Sequence, residues 1–266
     1  MKKVILGTLF LGSIGLGILG CKKEGVQNKQ DNDSSQIRSD IQKIFNTHSK
    51  DENYHVKSDE VSIENRDNPL DNVGYMHNEV LRFIMSPDIN RTIICTKIPE
   101  VNRAFKVNVS NDCDKLFRLC EIGVAESFDN EGNFQSNVLR TLLEENKIQE
   151  NEFQIVSTTF LYTNDMKFND KINFIKAVEK YTIQSSDLNS EQKNRVLRTF
   201  AIYRYSSHYW ENENPQPNAM GPISAFADAC AEYWALNSPD SPAQDGKDVY
   251  AIAGLVSAVV HVLTGF

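Results

Sequence analysis

The chain has 266 residues, with 36 acidic against 28 basic side chains and a formal charge of -8. That balance argues against nucleic acid or an anionic headgroup layer as partner, because both reward clustered Lys and Arg. A hydrophobic content of 40% is enough for a real core, in one large domain or two small ones.

Met1 to Cys21 is the most informative stretch. Lys2 and Lys3 precede an uncharged run from Val4 to Gly20, which is the pattern of an export signal rather than of a folded element. The run is long enough to cross a bilayer, so an uncleaved anchor is the alternative. Its five glycines each cost about 1 kcal/mol of helix propensity, which weighs against an anchor. Ile18-Leu19-Gly20-Cys21 resembles the bacterial lipobox, and that resemblance implies cleavage after Gly20 and a covalent lipid on Cys21. Removing residues 1–20 would take away Lys2 and Lys3 and leave 26 basic against 36 acidic residues, a charge of -10. Residues 21–36 are polar and expected to be a flexible lipidated tether.

From residue 37 to 214 the dominant period is helical. Ile37, Ile41, Ile44 and Phe45 form a short stripe, followed by a polar gap from Asn46 to Asp67 that reads as loop. Asn68-Pro69-Leu70-Asp71 has the signature of a helix start, with Asn68 as cap, and the helix should run to about Met85. Its stripe of Leu70, Val73, His77, Val80, Leu81 and Ile84 sets His77 among apolar residues, and Gly74 permits a close helix neighbour. Thr92 to Ile98 is β-branched and closed by Pro99, so it is expected to be irregular or an edge strand. Ser110 or Asn111 is expected to cap a helix, and another should run from Phe134 to Asn146. Glu152 to Tyr162 fits helix and strand equally. Asn169 opens a further helix, and Asn189 with Gln192 forms a capping box for a long one reaching Trp210.

Pro215, Pro217, Gly221 and Pro222 set off residues 215–266, which read as a C-terminal apolar helical hairpin. Asp245 to Asp248 can cap its second arm. That arm, Val249 to Phe266, carries no Lys, Arg, Asp or Glu, and two readings stand for it: a buried or partner-contact helix, or a membrane contact through Gly254, Ala258 and Phe266. The expected fold is therefore mainly α, an irregular helical bundle ending in that hairpin.

Chemistry-bearing motifs are scarce. No CxxC or HExxH spacing occurs, and neither a metal ligand set nor a catalytic residue is assigned. Apart from Cys21, Cys95, Cys113, Cys120 and Cys230 allow three pairings. On one helix Cys113 and Cys120 would stand about 10.5 Å apart, too far for a bridge, whereas either can pair with Cys95; buried thiols are the alternative. Asp228 and Glu232 lie side by side but opposite the apolar stripe, so they read as a solvated face. His77 with Asn78, and Tyr205, His208 and Trp210 at the end of one helix, are the candidate binding residues; a place in the core is the favoured reading for His77 and for the aromatic cluster.

Asn68-Pro69-x-x-x-x-Gly74-x-x-His77-Asn78 and Arg204-Tyr205-Ser206-Ser207-x-x-Trp210, followed by a small-residue-rich tail, resemble segments of uncharacterised exported lipoproteins of Bacteroidetes-type bacteria. The resemblance implies a lipid-anchored envelope protein and brings no activity, cofactor or catalytic residue. Lys22 does not resemble the aspartate that commonly retains lipoproteins at the inner membrane, so the outer membrane is the expected location. The leading expectation is an interaction or structural protein held on the membrane by its lipid and meeting an envelope partner. A toxin-like membrane-active protein and an enzyme or ligand-binding protein centred on His77 are the alternatives.

Overall fold

The computed structural model describes residues 24–49, 61–127, 136–164, 166–213, 229, 233–237 and 248–264. The fold is mainly α, with no strand among the described residues. The helices named among the described residues are α1 (Glu24–Ser49), α2 (Asp71–Ile84), α3 (Arg91–Phe105), α4 (Cys113–Ser127), α5 (Asn137–Glu144), α6 (Glu150–Thr163), α7 (Phe168–Gln184), α8 (Ser190–His208) and α9 (Val249–Thr264), and residues 233–237 are helical as well. A five-residue π-helical turn, Tyr209–Glu213, prolongs α8.

Helix α2 is the hub. It packs on α8 along one face and on α9 along another. Around α9 stand α2, α3 and α4; around α8 stand α2, α6 and α7, with α1 laid over α6 and α7. One continuous apolar cluster runs through both groups, from Ile37 and Ile41 through Val80, Leu81 and Ile84 to Leu255, Val256 and Val259. Helix α9 thus shares its core with the helices that precede it.

Several expectations are corrected. Residues 24–36, expected to be a flexible tether, are helical and continuous with the stripe that docks through Ile37 and Ile41. A polar segment can be carried by propagation once a neighbouring turn is fixed by packing, because extending a helix is cheaper than nucleating one. Thr92 to Ile98 lies inside α3 rather than in an edge strand. Asn90 accepts the Ile93 N–H as N-cap, and Ile94, Ile98 and Val101 recur at helical spacing and are fully buried. That stripe holds the helix across Pro99, which removes one backbone donor. Asp112, not Ser110 or Asn111, caps α4, its carboxylate accepting from the Lys115 N–H at 2.9 Å.

Glu152 to Tyr162 is helical within α6, which opens with reciprocal bonds between Gln149 and Glu152. Phe153, Ile155, Val156, Thr159 and Phe160 are all buried, so α6 is enclosed on several sides and shows no one-sided period. The capping box at Asn189 and Gln192 forms as read, with bonds of 3.0 and 2.7 Å. Cys95 and Cys113 form a disulfide joining α3 to α4, and Cys120 is buried outside it. Cys230, Asp228, Glu232, Pro215 and Phe134 lie outside the described residues, as do Cys21 and Phe266.

Candidate functional site

The start of α2, the end of α8 and helix α9 meet along α2. At its first turn, Asn68 does not cap the helix; Leu70 holds the cap position without a side-chain bond. Asn68 Oδ1 accepts the Leu70 N–H, while its Nδ2 donates to Glu179 Oε1 at 2.7 Å and to the Leu197 carbonyl at 2.9 Å. Asp71 is likewise drawn into tertiary contact. Its carboxylate accepts from Arg204 Nη2 at 2.5 Å and from the Tyr205 hydroxyl at 3.1 Å. Arg204 also meets Glu179 at 3.0 Å and the Ile63 carbonyl, and Asn65 Nδ2 donates to Glu179 Oε2 at 2.6 Å.

Arg204 and Glu179 are fully buried, so their charges are held by each other and by these amides rather than by water. Burial works against the Arg204 charge, but Glu179 and Asp71 more than offset it and raise its pKa. Burial, reinforced by Asp71, pushes the Tyr205 hydroxyl well above its usual range, so it stays a proton donor at neutral pH.

One turn on, Gly74 lets α8 approach. A Cβ there would stand 2.4 Å from Tyr205 Cδ2 and 2.5 Å from the Ala201 carbonyl oxygen. His77 and Asn78 follow, both fully enclosed. Asn78 Nδ2 donates to the Tyr205 carbonyl at 2.9 Å, which leaves Asn78 Oδ1 to accept. His77 Nδ1 therefore carries its proton toward that oxygen at 2.8 Å, and Nε2 accepts from the Ser257 hydroxyl of α9 at 2.8 Å. Hydroxyl, imidazole and amide stand in line, as in a nucleophile relay, yet all three residues are sealed between helices. In this arrangement the line fixes the register of α9 on α2 and α8.

Gly254 completes the contact. A Cβ added there would lie 2.8 Å from Val80 Cβ and 3.0 Å from the His77 carbonyl oxygen. Ala258 is buried on the same helix, and every residue from Ala251 to Val260 is buried. Among the described residues no helix is long and apolar enough to cross a membrane.

Beyond α8, the π turn widens the helix and carries three locks. Trp210 is fully buried and stacks on His261 of α9, with ring centroids 5.1 Å apart. Glu211 pairs at 2.7 Å with Lys171, itself buried on α7. Glu213 accepts two bonds from Arg82 on α2 at 2.7 Å and meets His208 Nδ1 at 2.9 Å. The Arg82 bonds hold the Glu213 carboxyl below its usual pKa.

The structure thus joins His77, Asn78, Tyr205, His208, Trp210, Gly254 and Ala258 around one three-helix junction. Sequence reading missed Ser257, Arg204, Asp71 and Glu179 as its polar partners. The available signal was a charge inside an apolar stripe, at Glu179 after Val178 and at Arg204 between Tyr203 and Tyr205. A cavity of about 220 Å³ beside α4 is lined by Lys115, Arg118, Leu119 and Ile122, none of which belongs to the junction. No group of three or more His, Cys, Asp or Glu suited to a metal ion occurs among the described residues. Comparison with protein-family models, with curated proteins and with solved structures gives no match.

Proposed function

We propose that this is a lipid-anchored, all-α interaction protein of the bacterial cell envelope, held at the outer membrane through a lipid on Cys21. The observation that carries the reading is Ile18-Leu19-Gly20-Cys21 after a basic start and an uncharged run. The Cys95–Cys113 disulfide supports it, since such bridges persist in oxidising, exported compartments. The geometry of the junction supports an interaction role over catalysis. Its histidine, hydroxyl and amide are spent on helix register, with no solvent at His77, Asn78 or Ser257.

The apolar surface of α9 is likewise used against α2, α3 and α4, so this reading gives it a packing role and leaves membrane attachment to the lipid. From Glu24 to the buried Ile37, α1 rises about 20 Å at 1.5 Å per residue. That length makes it a spacer holding the body off the lipid surface.

Metabolic labelling with palmitate tests the proposal. The native chain should take up label and shift to a longer precursor under globomycin, and Cys21→Ser should do neither. Label persisting in Cys21→Ser would overturn it.

A further inference from the structure

The connection from α3 to α4, residues 106–112, is held from several sides. Lys106 leaves α3 in the left-handed conformation, φ 55°, which a non-glycine residue adopts only at a cost. The Asn102 side chain then fixes the returning chain: its Nδ2 donates to the Val109 carbonyl and its Oδ1 accepts the Val109 N–H, both at 2.8 Å. Cys113, the first residue of α4, is bonded to Cys95 on α3, so residues 95–113 form a covalently closed ring.

That ring clasps the start of α9. The Asn108 N–H donates to Asp248 Oδ1 at 2.8 Å, and Asp248 is only 2% exposed. The Asp248 carbonyl in turn accepts the Ile252 N–H at 2.9 Å, the first backbone bond of α9. Two residues after Asp248, the Tyr250 hydroxyl donates to the Phe105 carbonyl at 3.2 Å. Val109 joins Ile98, Val101 and Leu116 in the apolar cluster that also takes in Ile252 and Leu255.

The two ends of α9 are therefore held by different means. Its C-terminal half is tied to α2 by the His77–Ser257 bond and to the π turn by the stack of His261 on Trp210. The polar contacts of its start come from residues inside the ring. Cys95 and Cys113 are both only partly buried, which gives a thiol in solution access to the bridge while the helix it secures stays enclosed.

We propose that the Cys95–Cys113 bridge is a redox latch: a dithiol reductant opens it, the α3–α4 connection loosens, and the first turns of α9 come free of the body. In the exchange, one thiolate of the dithiol attacks one bridge sulfur, and the other cysteine leaves as a thiolate and takes up a proton. The second thiol of the reductant, deprotonated, then displaces the remaining cysteine from the mixed disulfide. Two protein thiols and a cyclic disulfide result, with two electrons passed from the dithiol to the bridge. Opening the ring restores conformational freedom to the residues that grip Asp248 and Tyr250. The latch lies in the folded body and does not depend on lipidation of Cys21.

Native-state hydrogen exchange of the full chain, with and without dithiothreitol, tests the latch. Reduction should raise the exchange of residues 252–255 relative to residues 257–260 by about tenfold or more, because local opening then precedes global unfolding. Cys95→Ser combined with Cys113→Ser should show the raised ratio without reductant and no further response to it. Asp248→Ala should raise the ratio with the bridge intact, since it removes the clasp alone. Both halves of α9 exchanging in step, oxidised and reduced, would overturn the proposal by marking a general loss of stability. So would an Asp248→Ala chain with the native ratio, or a response to dithiothreitol that survives in the double serine variant.

Discussion

A methyl group on Gly74 would stand 2.4 Å from Tyr205 Cδ2 and 2.8 Å from the Ala201 carbonyl carbon, so α2 and α8 touch backbone to backbone at that point. Gly74→Ala gains up to about 1 kcal/mol of helix propensity. The overlap with Ala201 main chain cannot be relieved by rotating a side chain, and overpacking of that kind costs about 1–3 kcal/mol or more. A net loss of stability is expected, read as a lower urea midpoint with unchanged slope. An unchanged or higher midpoint would show that the helices separate freely.

The Arg204–Glu179 pair should behave as a buried ion pair. Removing one member leaves an uncompensated charge, at a cost of about 3–5 kcal/mol. Glu179→Leu should therefore destabilise strongly, and Arg204→Met should do the same by stranding Glu179. Arg204→Met combined with Glu179→Leu should cost less than the sum of the two. A double-mutant cycle by urea unfolding checks this, and strict additivity would mean that the pair is not coupled.

His261 carries a built-in acid sensitivity. Burial against Trp210 lowers its pKa in the folded chain below the ordinary 6.5. The unfolded chain then binds a proton first as pH falls, so stability is full above about 6.5 and declines below it. His48, lowered mainly by burial with Asp170 opposing, adds to the same slope. Urea midpoints at pH 7.5, 6.5 and 5.5 should fall in that order. His261→Phe, which keeps the stacking on Trp210, should flatten the decline; an identical slope would place its origin elsewhere.

Reduction should weaken the α3–α4 link. The Cys95–Cys113 bridge closes a span of 18 residues, for which chain entropy gives about 3 kcal/mol. Cys113→Ser, or dithiothreitol with the native protein, should lower stability by that order. Equal stability with and without reductant would count against the bridge in the native protein.

Helix α9 should contribute as a core element. Ile252→Ala and Val256→Ala each remove buried methyl groups from fully enclosed sites, with a loss of about 1–5 kcal/mol expected. Leakage from liposomes exposed to the native protein should be absent. Leakage that disappears on deleting residues 249–264 would show that α9 leaves the core to enter lipid.

Much of the helical layout was legible because local chemistry fixes it. The box at Asn189 and Gln192 and the one-sided stripe of α2 are decided within a few residues, and the structure keeps both. Asn68 was misread because its amide has two competing uses. A cap bond is worth about 1 kcal/mol, whereas a buried Glu179 left without donors would cost more, so the tertiary partner wins. Segment 92–98 was misread for a related reason. Its β-branched residues favour extended backbone locally, but the helical spacing of Ile94, Ile98 and Val101 matters only once α9 and α2 supply a surface to bury it.

The sequence by itself determined the helical class, the glycine at the α2 contact and the capping of α8. All of these follow from propensity, spacing or composition within one segment. Only the tertiary structure decided that His77 meets Ser257, that Arg204 pairs with both Asp71 and Glu179, and that α9 is enclosed. Each of these joins residues far apart in the chain. Burial changes the free energy of a polar group by several kcal/mol according to which distant partner reaches it, and no local pattern records that partner.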